Sequence, residues 1–259
     1  MKIALCVKQV PDTQDIKWTE NNTMQREGVE SILNPYDVYA TELALQLKKE
    51  YGATITAISM GPNQAKEMLK DLIALGVDDA VLVSDKKFAG ADTFATGKTL
   101  SAAINTIVPD FDLIICGQFA IDGDTAQTGP CIAGLLDIPQ ATYTREIEGI
   151  SNGTATIIRE LDDGDETVEI KIPALLSVVK NLKEPTRAKI NGIIKAQNTE
   201  IRTITLEDIE LSPDEVGIKG SPTYVSKAFK PESKHSCTKH TENGAHIVLD
   251  KIREVMTNE

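Results

Sequence analysis

The chain has 259 residues, 41% of them hydrophobic and 25% charged, which is typical of a globular protein with a sizeable core. Its 27 Lys and Arg residues against 39 Asp and Glu residues give a net charge of −12, which argues against nucleic-acid binding and against attraction to an anionic membrane. Aromatic residues, at 4%, are too few for a platform that stacks single-stranded bases, and no apolar run is long enough for membrane insertion.

The amino terminus, MKIALCVKQV, predicts a first strand, because no small-residue cleavage site of a secretion signal follows it. The cysteines form no C-x-x-C pair and stand at Cys6, Cys116, Cys131 and Cys237. This usage favours a reducing compartment, so we expect a cytoplasmic protein.

Short apolar runs alternate with helical patterns through the first half of the chain. The predicted strands are Lys2–Val10, Thr54–Met60, Ala80–Ser84 and Asp112–Gly117. Predicted helices cover Asp37–Glu50, Ala65–Leu72 with Pro62 in its first turn, Leu100–Ile107 and Thr125–Leu136. This alternation predicts an α/β fold with a doubly wound, mostly parallel sheet covered by helices on both faces.

The second half has a different pattern. Gly153–Leu161 and Thr167–Val179 flank an acidic turn, which predicts a hairpin. After a break at Lys183–Thr186, a basic stretch with interspersed isoleucines occupies Ala188–Gln197.

Two domains are predicted from the change in composition near Leu211. An α/β domain covers residues 1–212, and residues 213–259 form a C-terminal part. In that part, polar residues with Gly and Pro breakers predict an extended arm over 213–243, and a short helix follows at Gly244–Val255.

Two tempting motifs are rejected. Gly90–Thr99 ends in GKT, but six residues separate its glycines, more than the P-loop pattern G-x-x-x-x-G-K-[ST] allows, so a helix start is predicted. The histidines and one cysteine gather near the carboxyl terminus, at His235, Cys237, His240 and His246. Their spacing matches no closed zinc signature, so we predict no metal site.

The segment Gly117–Gly129 runs from an apolar strand into a helix, where doubly wound sheets bind ligands. Its small residues and the free N–H groups of a helix start suit a phosphate. A helix capped by Asp124 or Thr125 explains the same residues, and the pattern alone does not separate the two interpretations. The strand ends at Cys6–Gln9 and Ser59–Pro62 are expected to converge on the same edge of the sheet.

Six segments occur in a recognisable order: Val7–Pro11, Asn34–Asp37, Met60–Pro62, Ala120–Gly129, Arg159–Gly164 and Val168–Ser177. Together they resemble the small (beta) subunit of electron-transferring flavoproteins over nearly all of residues 1–230. The resemblance implies an adenine-nucleotide-binding α/β fold in a heterodimer with an alpha subunit that holds FAD, with the C-terminal arm and helix against that subunit.

In this family the beta subunit holds AMP in mitochondrial and aerobic relatives. In anaerobic bifurcating relatives it holds a second FAD, which accepts hydride from NADH. Carried over by matching position, the nucleotide-binding residues are Cys6, Asn34, Pro35, Tyr36, Asp37, Met60, Gly117, Gln118, Ala120, Asp122, Gly123, Asp124, Thr125, Ala126, Gln127 and Thr128.

The small residues at Gly123–Ala126, and Met60 where the AMP type carries Cys, are similar to the bifurcating form and favour FAD. That form implies electron delivery to a flavin or Fe–S dehydrogenase through the alpha FAD and to ferredoxin or flavodoxin. One alternative is a subunit that holds AMP as structure and docks an acyl-CoA dehydrogenase-type partner. Another is a nucleotide sensor of the universal-stress type, which leaves the hairpin unexplained.

The resemblance also assigns two sites outside the nucleotide. Glu160 falls where the family places an acidic residue near the alpha flavin, and it is the candidate catalytic residue. The stretch that docks the dehydrogenase corresponds to residues 186–195, with candidates Thr186, Arg187, Lys189, Ile190 and Lys195, and with Ile190 as apolar anchor.

Overall fold

A nine-stranded sheet organises the first of the two units of the chain, Met1–Ser226; the second is Lys227–Glu259. The computed structural model describes residues 1–12, 31–180, 185–226 and 243–257. The strands are β1 (Lys2–Cys6), β2 (Gln9–Pro11), β3 (Ser31–Leu33), β4 (Thr54–Met60), β5 (Asp79–Val83), β6 (Leu113–Gly117), β7 (Gln140–Ser151), β8 (Thr154–Leu161), β9 (Gly164–Lys171), β10 (Ala174–Val178) and β11 (Arg202–Ile204). The helices are α1 (Pro35–Tyr51), α2 (Ala65–Leu75), α3 (Thr93–Ile107), α4 (Thr128–Leu135), α5 (Ile190–Gln197), α6 (Gly217–Gly220) and, in the second unit, α7 (Gly244–Thr257).

The strand order of the sheet is β11-β5-β4-β1-β6-β10-β7-β8-β9. Neighbours from β11 to β7 run parallel, whereas β7, β8 and β9 form an antiparallel extension. The chain moves outward from β1 through β4 to β5 and returns at β6 on the other side of β1, so the order reverses between β1 and β6. The predicted doubly wound, mostly parallel α/β fold is confirmed.

Each face of the sheet carries its own core. Helices α1 and α2 cover one face with residues at helical spacing, such as Leu43 and Leu47 of α1 and Leu69 of α2. Helices α3 and α4 cover the other face through residues such as Ile104 and Ile132. Complete burial of a Leu or Ile side chain contributes about 2 kcal/mol, so these stripes hold the helices against the sheet.

Several predicted bounds shift for local reasons. The first predicted strand, Lys2–Val10, ends at Cys6, because Gln9–Pro11 pairs instead with β3 in a separate ribbon. Pro62 precedes α2 and accepts the N–H of Ala65 at its carbonyl, so it does not lie in the first helical turn. Helix α3 begins beside Asp92, whose side chain accepts the Ala95 N–H; the rejected P-loop is therefore a helix start, as predicted.

Strands β3, β7 and β11 were not predicted, and β10 was not distinguished from β9. In β7 every third residue is buried, at Ala141, Thr144 and Ile147. Two irregularities in the pairing with β8 break the usual pattern, in which every second residue of a strand is buried. The apolar run Thr167–Val179 divides at Pro173 into β9 and β10, and only β9 pairs with β8 in the hairpin. Strand β10 lies instead between β6 and β7 in the parallel part of the sheet.

The first unit continues beyond the predicted boundary at residue 212. Glu215 forms an ion pair with Lys98 of α3 at 2.7 Å, and the Ser221 hydroxyl accepts the Asp92 N–H at 2.8 Å. These contacts hold residues 215–221 against α3 with Val216 buried, so this part of the predicted extended arm is packed, whereas residues 222–226 are exposed. Residues 227–242, with His235, Cys237 and His240, lie outside the described residues.

Candidate functional site

The carboxyl ends of β1, β4 and β6 meet at one edge of the sheet, where the order of strands reverses. Cys6 lies opposite both Ile58 of β4 and Cys116 of β6, so the three strands end at the same level. The structure thus brings together the strand ends that the sequence analysis placed near each other. A crevice at such a reversal is the general ligand position of doubly wound sheets.

Asp37, in the first turn of α1, joins the ends of β1 and β6. Its Oδ2 accepts the Lys8 N–H at 2.7 Å and its Oδ1 accepts the Gly117 N–H at 3.0 Å. Only 5% of the residue is exposed. Burial raises the pKa of the Asp37 carboxyl to about 7, against the opposing effect of the hydrogen bonds from Lys8, Asn34 and Gly117.

The first half of the loop between β6 and α4 is fixed by side chains from elsewhere. Asn34 donates from Nδ2 to the Phe119 carbonyl at 2.9 Å and accepts the Ile121 N–H at 3.2 Å. Lys8 Nζ lies 2.6 Å from Asp122 Oδ1, and the Asp122 side chain is only 3% exposed. Tyr36 and Phe119 pack ring against ring with centroids 4.1 Å apart. Asn34, Tyr36 and Asp122, all predicted nucleotide residues, therefore shape the loop.

The second half of the loop is strained and open. Asp124 and Ala126 have φ of 52° and 53°, in the left-handed region, which aspartate tolerates better than most residues and which strains Ala126. A Cβ placed on Gly123 meets no atom within 4 Å. Helix α4 begins at Thr128, three residues later than predicted, and no side chain caps its first turn. The interpretation of Asp124 or Thr125 as N-cap is therefore wrong; Thr125 Oγ1 instead lies 3.5 Å from Thr93 Oγ1 at the start of α3.

Beneath these strand ends, the core on the α3 and α4 side is apolar. Cys6 and Cys116 are buried. Desolvation, and to a smaller extent the nearby Asp37 carboxylate, raises the pKa of both thiols, that of Cys6 to about 12. These thiols are neutral at physiological pH and unsuited to nucleophilic chemistry. Met60 is partly buried at the rim of the same core. The absence of a side chain at Gly129 allows α4 to pack close to this apolar core, because a Cβ at that position would lie only 2.9 Å from Cys116 Sγ.

Sequence reasoning missed a second support of the site, at the start of α3. Asp92 caps α3 through Ala95 and also accepts the N–H and hydroxyl of Thr223, the N–H at 2.9 Å. Asp92 stands at an expected N-cap position, but nothing in the local pattern indicates that residues 221–223 reach it. The start of α3 also lies beside the loop that leads into α4, where the Thr93 and Thr125 hydroxyls approach each other.

The predicted docking stretch is anchored at both ends. Thr186 donates from its N–H to Glu42 of α1 at 2.6 Å, and Lys195 Nζ donates to the Asp78 carbonyl at 3.2 Å. Ile190 begins α5 with 76% of its surface exposed, and Arg187 and Lys189 beside it are exposed as well. A rigid support that presents an exposed apolar residue within a basic surround is typical of a binding surface.

Glu160 is exposed near the end of β8, directly opposite Asp165 of β9. Asp165 is paired with Arg145 at 2.6 Å, and the neighbouring Arg159 with Glu166 at 2.7 Å. Two arginines thus offset the charges of Asp165 and Glu166, and Glu160 lies exposed beside the acidic turn at residues 162–163. Among the residues that the structure describes, none of the helices has both the length and the apolar character that a membrane span requires.

Comparison with known proteins assigns the family. Residues 21–209 match the model of the electron transfer flavoprotein domain. The chain is 43% identical to electron transfer flavoprotein subunit beta of Thermoanaerobacterium thermosaccharolyticum, covering 100% of this chain and 96% of the relative.

Two relatives are named as parts of reductase complexes. Subunit CarD of the caffeyl-CoA reductase-Etf complex of Acetobacterium woodii is 45% identical, over 90% of this chain and 89% of the relative. Acryloyl-CoA reductase electron transfer subunit gamma of Anaerotignum propionicum is 41% identical, over 90% of each chain. The chain belongs to the electron transfer flavoprotein family, as a beta subunit.

Proposed function

We propose that this beta subunit binds an FAD at the candidate site. Bound there, the FAD accepts hydride from NADH and passes one electron through the alpha-subunit FAD to a dehydrogenase and the other to ferredoxin or flavodoxin. Membership of the family makes the protein an electron-transport flavoprotein subunit with an alpha subunit as partner. The beta FAD, the NADH and the splitting of the electrons belong to the proposal.

The observation that carries the proposal is the open second half of the loop, residues 123–128. Gly123 has open space around it and the first turn of α4 has no side-chain cap, so the N–H groups of that turn are available to an anion. Asp92 occupies the N–H groups at the start of α3, so the further donors for a second, linked phosphate would be the Thr93 and Thr125 hydroxyls, 3.5 Å apart. Met60, Cys6 and Cys116 offer an apolar floor for a ring.

The chain's own residues would bind and orient the nucleotide without supplying a reactive group. Thr125 and Thr128 carry hydroxyls toward the helix starts, and Gln118, Gln127 and Ala120 lie along the same loop. The redox chemistry would be that of the flavin, which the protein positions and shields from water.

Single-phosphate binding is the competing function. The same loop accepts AMP, and a structural AMP leaves all electron transfer to the alpha FAD. The names of the CoA-reductase relatives favour the first function, because they describe electron-transfer subunits of reductase complexes.

Counting nucleotides tests the proposal. The purified heterodimer is denatured and its released nucleotides are separated and quantified. We expect two FAD per heterodimer, together with anaerobic bleaching of flavin by NADH. One FAD and one AMP, without bleaching by NADH, would establish the structural-AMP function instead.

We further propose that Glu160 pairs with a cation of the alpha subunit near its flavin. Glu160→Ala is expected to weaken the heterodimer about tenfold or to slow the alpha-flavin half of the reaction, because it leaves that cation without a partner. Nucleotide retention by the beta site should not change. Heterodimer affinity by titration and one-electron transfer by stopped flow are the measurements. Wild-type values in both would make Glu160 an ordinary surface residue, and Glu169→Ala on neighbouring β9 is the matched control.

A further inference from the structure

Asp37 is connected to three parts of the candidate site at once. Its two carboxylate oxygens accept N–H groups from the ends of two adjacent strands, Lys8 after β1 and Gly117 at the end of β6. Its own N–H donates to the Asn34 carbonyl at 2.9 Å in the first turn of α1. Because β1 and β6 are neighbours in the sheet, the carboxylate joins their two carboxyl ends. We call Asp37 and these two N–H groups the clasp.

The clasp leads directly to the loop that carries the proposed nucleotide site. Gly117 is the last residue of β6, and the loop begins at Gln118. Asn34, the residue that precedes α1, holds the Phe119 and Ile121 backbone. Lys8, whose N–H belongs to the clasp, holds Asp122 with its ammonium group. A shift of Lys8 or Gly117 would therefore move residues 118–122.

We propose that Asp37 is a positioning residue, which sets the shape of the loop at residues 118–127 from beneath and does not itself touch the nucleotide. The resemblance implied a direct contact, but both oxygens are taken by backbone N–H groups and the side chain is buried. This inference rests on the proposed nucleotide site. It adds that retention at this site depends on the charge of Asp37.

The charge state of Asp37 determines whether the clasp is complete. The carboxylate accepts both N–H groups strongly, whereas the protonated acid carries an O–H on one oxygen, which weakens that oxygen as an acceptor and places a second donor against the N–H. Desolvation raises the pKa of Asp37 to about 7, so this change falls near neutral pH. The groups that face it are the Lys8 ammonium, the Asn34 amide and the Cys6 and Cys116 thiols, and burial raises the pKa of both thiols.

Nucleotide retention and stability should respond to this titration in opposite directions. The folded pKa lies above the unfolded value of 3.8, so the folded state binds more protons between the two values. The contribution of Asp37 to the free energy of unfolding therefore rises as pH falls from about 7 toward about 4 and is lost above about 7. The clasp is complete only above about pH 7, so nucleotide release should be faster in mild acid.

Asp37→Asn tests the proposal in the heterodimer. Asparagine has the shape of aspartate, but its side-chain N–H₂ is a donor and cannot accept one of the two backbone N–H groups. We expect wild-type nucleotide to dissociate about tenfold faster near pH 6 than near pH 8, and the variant to release it fast at both. The matched control is Asp78→Asn, which removes a carboxylate that accepts the Ile55 N–H at the opposite end of β4. This control should keep the wild-type pH profile.

Amide hydrogen exchange in nucleotide-free heterodimer separates this proposal from the proposed function. Asp37→Asn should speed exchange of the Lys8 and Gly117 amides about tenfold, and Asp78→Asn should not. If no nucleotide binds, the proposed function fails while the exchange still tests the clasp. Unchanged exchange overturns the clasp, and faster exchange with unchanged nucleotide release overturns the positioning role. Should Asp37→Asn fail to fold, wild-type release and exchange across the same pH range decide the question.

Discussion

Replacing Gly117 by alanine is expected to remove nucleotide from the beta subunit and to destabilise the fold by about 2–4 kcal/mol. A Cβ at this position overlaps Asp37 Oδ1 and lies 2.8 Å from the backbone carbon and the Cβ of Tyr36. The first turn of α1 cannot move away easily, because Ala40 and Leu43 behind it are buried in the core. Urea unfolding and nucleotide content of the purified heterodimer measure the two effects.

Gly123→Ala is the matched control within the same loop. Its Cβ would meet nothing within 4 Å and its φ is not positive, so stability should stay within about 0.5 kcal/mol of wild type. Retention of nucleotide and stability in Gly117→Ala would mean that α1 can separate from β6 at no cost. The described arrangement of Asp37 between β1 and β6 would then be wrong.

The parallel part of the fold follows from local patterns. Strands such as β4 and β6 are near-continuous apolar runs, and helices such as α2 carry one apolar stripe. Both patterns can be recognised in the sequence. Strand β7 is not legible, because its irregularities move the buried residues to every third position. The position of β10 between β6 and β7 depends on tertiary contacts. The apolar run that contains β10 would fit a strand of the hairpin equally well.

Only the strand ends that border the candidate site could be predicted from the sequence. The ends of β1, β4 and β6 were expected to converge, because carboxyl ends of parallel strands share one side of a sheet. The bridging role of Asp37 depends on contacts with Lys8 and Gly117, far away in the chain, and no local spacing encodes such contacts. The same holds for Thr223 at Asp92. Positive φ at Asp124 and Ala126 delays α4, although both residues fit a helix by propensity no worse than their neighbours.

The proposed docking surface combines exposure with rigidity. Gly192 packs so tightly on α2 that a Cβ there would overlap the Ala74 carbonyl, which holds α5 against the body of the first unit. Thr186 and Lys195 fix the two ends of the stretch through Glu42 and Asp78. A preformed surface avoids much of the ordering entropy that a flexible loop loses on binding. Most of the free energy gained by burying Ile190 can therefore contribute to the affinity of the complex.

Ile190→Ala is expected to weaken productive docking of the partner dehydrogenase about 30-fold, equivalent to about 2 kcal/mol, the loss typical of a truncated apolar anchor. Folding should not change, because 76% of the side chain is already exposed in the first unit. The measurement is the dependence of electron-transfer rate on dehydrogenase concentration, with flavin content and reduction of an artificial dye as internal references. Ile218→Ala is the matched control, an isoleucine on α6 that is 67% exposed. Equal losses in both variants would indicate nonspecific surface hydrophobicity, and wild-type kinetics in Ile190→Ala would remove this residue from the docking surface.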